Sequence, residues 1–271
     1  MSLQEYAGAL EGLYQRFNRR RYVHPDPLEF LYEYDELADR EVVGLLASSL
    51  AFGKVEQILL AIRKVLVPMG QHPYQFLMNT PVSSLKRLYA GFRYRFCKDS
   101  DLLSLLAGIR KVIKRFGSLG ACFARGYDPT DETILPALTR FIIELDQRGN
   151  CGYLLPDGAG QSALKRLNLF LRWVVRSDEV DPGGWSFIQP SKLIIPLDTH
   201  MHRIALALGM THRRTADMLT AIEITAAFRK IVPEDPVRYD FSLTRIGIRN
   251  EIDLPAFVSH IRAGRKICNY A

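Results

Sequence analysis

The sequence predicts an all-α protein, and three observations predict it. Apolar residues recur at three- and four-residue spacing along most of the 271 residues. No run alternates strictly between hairpin turns, and no internal repeat appears at solenoid periods. With 48% apolar and 24% charged residues, the composition excludes disorder and low complexity.

Taken in order, a first helix over Gln4 to Arg21 ends in the basic cluster Arg16, Arg19, Arg20 and Arg21, and the breaker His24-Pro25-Asp26-Pro27 follows it. A second begins near Asp39 and carries Val42, Val43, Leu46 and Leu50. A third, Val55 to Leu66, aligns Ile58, Leu59, Ile62 and Leu66 and stops before Pro68. Leu102 to Phe116 shows the clearest period, with Arg110, Lys111, Lys114 and Arg115 opposite its apolar face. That cationic face is either solvated or in contact with phosphates. Further helices are expected over Thr133 to Gln147, Gln161 to Arg176, Thr199 to Leu208, Met218 to Ile231 and Asp240 to Ile246. Two segments interrupt them: the glycine-rich stretch 149–160 and the long connection 177–195, of a length that often serves a function inside a helical protein.

Lys and Arg exceed Asp and Glu by 36 to 29, a net charge of +7, which favours a polyanionic partner. No apolar run reaches the ~18 residues of a membrane span, and Glu5 and Glu11 interrupt what a signal peptide would need. The expectation is a cytoplasmic protein without a membrane partner. Four cysteines, Cys97, Cys122, Cys151 and Cys268, lack metal-ligand spacing and read as reduced structural thiols. Neither a metal nor a cofactor is expected.

Two places carry candidate chemistry. Gly158 and Gly160 precede the helix that starts at Gln161 and Ser162. Glycines there let first-turn N–H groups point outward, where they and the helix dipole can hold a phosphate. On that helix Lys165, Asn168, Arg172 and Arg176 form one polar line beside the apolar stripe, either a solvated face or part of a site. Downstream, Asp198 in Ile195-Pro196-Leu197-Asp198-Thr199-His200 occupies an N-cap position, since Pro196 keeps the preceding chain extended and helical spacing follows until Gly209. His200 and His202 point to different faces and make a poor metal pair, whereas Asp198 and His202 can form a local contact.

The order of glycine turn, Lys-bearing helix and Leu-Asp-Thr-His-x-x-Arg-Ile at a helix start resembles the helix-hairpin-helix DNA glycosylase superfamily. Endonuclease III relatives carry a similar LPGxGxKTA segment followed by VDTHxxR, and residues 43–51 (VGLLASSLA) resemble their LLSAQAT-type signature. The slot after the turn, where those relatives have lysine, holds Ser162, and Lys165 comes one turn later. The longer interval to Asp198 resembles the archaeal 8-oxoguanine glycosylases. As a whole the chain resembles a bacterial family of unknown function marked by its KRLNLFLRW and IIPLDTHxHRI segments.

The resemblance implies a two-lobed helical unit, with lobe one over about residues 30–150, lobe two over about 151–250 and the terminal helices packed on the second. It implies a DNA repair glycosylase and abasic-site lyase, with Lys165 as nucleophile and Asp198 as electrostatic helper. The partner is double-stranded DNA carrying a damaged base, 8-oxoguanine among the candidates, bound by a nucleoid-associated monomer. Gly158, Gly160, Gln161, Ser162, Lys192 and Arg203 are expected at the DNA backbone, and Phe52, Trp185 and Tyr239 in the base pocket. The lyase step needs an amine that spends part of its time neutral. Two other readings stay open: a non-catalytic DNA-binding module of the same fold, and a helical interaction domain.

Overall fold

The computed structural model describes residues 6–146, 148–156 and 162–248, with side chains described as far as Arg245. Over these residues the chain is mostly helical. Helix α1 spans Ala7–Phe17 and α2 spans Leu37–Ser49, joined by 3-10 turns at Arg20–Tyr22 and Pro27–Glu33. Asp26 caps the second turn, accepting the Leu28 N–H at 3.0 Å. The α3 helix covers Val55–Leu66, the bounds its apolar period predicts, and Pro68 stands just beyond it.

Two short helices follow, α4 (Pro73–Asn79) and α5 (Val82–Leu88), then a hairpin of β1 (Arg93–Tyr94) and β2 (Cys97–Lys98). Arg93 lies opposite Lys98 and Tyr94 opposite Cys97, which leaves Arg95 and Phe96 as its two-residue turn. The longest helix, α6 (Asp99–Phe116), leads to α7 (Leu119–Gly126) and α8 (Leu135–Leu145). After the 3-10 turn Gly152–Leu154 come α9 (Lys165–Val175), α10 (Thr199–Ala207), α11 (Met218–Arg229) and α12 (Asp240–Ile248). None of these helices is long and apolar enough to cross a membrane.

A single apolar cluster runs from Tyr6 to Leu243, with α2 packed on α9, α6 on α7 and α8, and α12 on both α1 and α10. Helix α2 is buried almost all round, down to Glu41. Burial pushes the Glu41 carboxyl up, opposed by its donors: the Trp185 indole N–H at 2.7 Å and the backbone N–H groups of Leu119 and Gly120 at 2.9 and 3.0 Å. These bonds hold the start of α7 and the 177–195 connection against α2.

Several elements depart from expectation for physical reasons. The first helix is shorter, because Asn18 at φ −77°, ψ 63° leaves the helical region. Helix α9 begins at Lys165 rather than Gln161, because Leu164 adopts a left-handed conformation (φ 48°) that no helix continues through. Of the polar line along α9 and its C-cap, Asn168, Arg172 and Arg176 are buried at 1%, 3% and 3% exposed, while Lys165 stays partly exposed. On the cationic face of α6, Arg110 donates to the carbonyls of Thr80 and Met78, and Arg115 pairs with Glu144. Cys97, Cys122 and Cys151 are buried free thiols; Cys268 lies outside the described residues.

Candidate active site

Asp198 is placed by its own sequence. Its backbone is extended (φ −116°, ψ −178°), and Oδ1 accepts the Met201 N–H at 2.8 Å. The second oxygen, Oδ2, stands 3.1 Å from Lys165 Nζ. One carboxylate therefore caps α10 and faces the first residue of α9. Burial pushes the Asp198 carboxyl up, yet Lys165, the capping bond and, more weakly, His200 outweigh it and hold the group below the ordinary carboxylate range. It stays ionised at neutral pH.

The Lys165–Asp198 pair lines a cleft of about 350 Å³ whose other walls include Pro25, Gly53, Trp173, Asp240 and Arg245. Those residues come from the segment before α2, the loop before α3, and helices α9 and α12. Its volume suits a small ligand. Asp240 is a second carboxylate in the same cleft: burial pushes it up to about 6, against the pull of Arg172, while Asp198 and Asp181 push it further. Asp240 is buried and paired with Arg172, so burial sets its raised value. Trp173 Nε1, Asp240 Oδ1 and Arg245 Nε are buried and lack a hydrogen-bond partner among the described residues. A larger groove of about 840 Å³ lies between α5 and α6, but no carboxylate among the described residues lines it, so the paired chemistry belongs to the smaller cleft.

Other expected site residues lie apart. Trp185 is 1% exposed, bonded to Glu41 and packed among Phe123, Phe170 and Phe187; it is a core residue and not part of a base pocket. Tyr239 is corrected in the same way, buried against Tyr14 and Phe228 with its hydroxyl donating to Glu11 at 3.2 Å. Its neighbour Asp240 reaches the cleft instead. Phe52 is half-buried between Tyr94 and Tyr153, while Ala51 and Gly53 on either side of it line the cleft.

Lys192 is turned inward, its ammonium donating to the Asp131 carbonyl at 2.7 Å, so it fastens a loop and is not free for a phosphate. Arg203 is exposed on α10. Ser162 bridges to Asp217 and accepts the Leu164 N–H at 3.3 Å, which positions the turn before Lys165. Gly158, Gly160 and Gln161 lie outside the described residues. His202 bonds the Arg213 carbonyl at 2.8 Å rather than the Asp198 side chain. Arg166, next to Lys165, points elsewhere, donating to the carbonyls of Ser49 and Tyr153.

Asp240 and Arg245 escaped sequence reasoning because their helix gives no sign of which neighbour it meets. The one available signal was an ionisable pair at i and i+5 on a helix that carries no other charge.

A family model described as "Protein of unknown function (DUF2400)" matches residues 26–249, the span that holds every cleft residue named above except Pro25. No curated protein and no solved structure matches the chain.

Proposed function

The chain belongs to the DUF2400 family, and we propose that it is a two-lobed helix-hairpin-helix DNA glycosylase with abasic-site lyase activity. One observation carries this reading: an amine and an ionised carboxylate, Lys165 and Asp198, meet at 3.1 Å on the wall of a cleft. Breaking the bond between a base and sugar C1′ builds positive charge at C1′, and an ionised carboxylate facing the cleft stabilises it. Asp198 can do so without reorganising, because the Met201 N–H already fixes its other oxygen.

For the lyase step, Lys165 Nζ, having lost a proton, attacks C1′. The C1′–N bond breaks, and the base leaves with the bonding electron pair and takes up a proton. A proton then passes from Nζ to O4′ as the C1′–O4′ bond breaks with its electron pair going to O4′, which opens the sugar ring and leaves a protonated imine between Nζ and C1′. Polar atoms of the cleft-lining Trp173, Asp240 and Arg245 that have no partner among the described residues suit a ligand with a polar edge, since buried polar groups without partners are costly. The basic net charge and the exposed Arg203 suit a phosphate backbone.

The test is reductive trapping. Duplex oligonucleotides carrying 8-oxoguanine, uracil, thymine glycol or an abasic site are incubated with the protein and borohydride. The expected result is a covalent adduct that Lys165→Ala abolishes and Asp198→Asn weakens by at least tenfold. An adduct indifferent to Lys165→Ala reassigns the nucleophile. Salt-sensitive binding with no adduct on any substrate replaces the enzyme with a non-catalytic DNA-binding module of the same fold.

A further inference from the structure

An aromatic cluster begins at the rim of the cleft with the half-buried Phe52 and ends in exposed rings at the tip of the β1–β2 hairpin. Phe96, one of the two turn residues, is 64% exposed, and Tyr153 beside it is 49% exposed. Their rings lie 5.5 Å apart; Tyr153 meets Phe52 at 4.8 Å, and Phe52 meets Tyr94 at 4.9 Å. Isolated exposed apolar side chains are ordinary, but contiguous ones mark binding surfaces.

This cluster is rigidly backed. The Tyr94 hydroxyl donates to the Phe52 carbonyl, and the Arg166 guanidinium sits 5.1 Å over Phe52 and 4.9 Å over Tyr153 while donating to Ser49 and Tyr153 carbonyls. At the tip, Arg95 takes a left-handed conformation (φ 51°) that a non-glycine residue rarely adopts. Its guanidinium lies 5.6 Å from the Phe96 ring.

The hairpin also adjoins the site. Gly53, at φ 105°, lines the cleft, and a Cβ built on it would lie 3.0 Å from Arg95 Cδ and 3.0 Å from the Tyr94 hydroxyl. Arg93, Arg95 and Lys98 make the hairpin cationic. The nearby Asp99 and Asp101 turn their carboxylates to backbone N–H groups of Gly91, Ser100 and Lys98. Exposed rings interleaved with guanidinium groups are the pattern on which nucleobases stack.

We propose that the Arg95–Phe96 hairpin tip is a wedge for duplex DNA: Phe96 enters the base stack where the nucleotide held in the cleft has left it, and Arg95 sits against the flanking strand. The wedge rests on the cleft receiving an extruded nucleotide, as under the proposed function, but requires no bond cleavage. A ring inserted between bases offsets the cost of unstacking.

The test compares affinities of the full chain for two duplexes of one sequence, one intact and one containing a tetrahydrofuran abasic analogue. Wild type is expected to prefer the gapped duplex. Phe96→Ala should reduce that preference by about tenfold or more, the loss of one base–ring stack, while leaving affinity for the intact duplex unchanged. In Phe96→Trp the preference should persist, and indole emission should be quenched by the gapped duplex but not by the intact one. Equal losses on both duplexes, an unmoved preference, or an unquenched indole overturn the wedge. Borohydride trapping of the same variants on lesion-bearing duplexes separates the two proposals. A Phe96-dependent preference without any adduct upholds the wedge and removes the lyase; an adduct with an unmoved preference does the reverse.

Discussion

At the scale of single residues, the two oxygens of Asp198 are divided between two tasks, one capping α10 and the other facing Lys165. Asp198→Asn keeps a capping oxygen but removes the charge. The folded carboxyl titrates below its ordinary value, so the folded state releases that proton more readily than the unfolded one. Its contribution to stability is complete above about pH 3.9, the unfolded value, and disappears as pH falls through the folded value. Urea denaturation should show wild type more stable than the variant by about 1 kcal/mol at neutral pH, the order expected for a half-exposed pair. The gap should close below about pH 3.9. A gap that persists in acid would assign the effect to geometry and not to the charge.

At the scale of elements, close helix approach is set by glycine in one place and not in another. Gly108, within α6, would place a Cβ 2.2 Å from the Leu145 carbonyl oxygen at the end of α8. Gly108→Ala must therefore push α6 and α8 apart and should destabilise the protein by about 1–3 kcal/mol. In α1, by contrast, a Cβ on Gly12 meets no atom of the described residues within 4 Å, and Gly12→Ala should stabilise by up to about 1 kcal/mol through helix propensity. Thermal or urea unfolding of the pair checks both signs. The longer helices were legible from their apolar period, α3 at both ends. Helices α4 and α5 were not, because each makes about two turns and shows too few positions for a period to appear.

Across the whole molecule, a buried ionic seam ties distant segments together behind the cleft. Asp181, with no exposed surface, accepts from both Arg172 and Arg176. Arg172 continues to Asp240 on α12, and Arg176 to Asp178 and Asp235. Arg245 then joins α12 to Asp26 at 2.5 Å. Asp181→Ala leaves two buried guanidinium groups short of a partner and should destabilise by roughly 3–5 kcal/mol. Because the seam is buried, urea midpoints should show this loss little changed between low and high salt. A loss that salt largely erases would place Asp181 in contact with solvent.

The sequence by itself determined the helical class and most of the longer helices. Helical period, proline and capping residues act over one or two turns, so a short stretch of chain is enough to show them. Only the tertiary structure decided which polar residues meet. The line through Arg172 and Arg176 reads as a solvated face or part of a site, because their partners at Asp181, Asp235 and Asp240 are met only through chain folding. For the same reason Trp185 and Tyr239 went to the core, while Asp240, Arg245 and the Phe96 hairpin came to the cleft or its rim: local spacing fixes which way a residue faces on its own element, but not which element it faces.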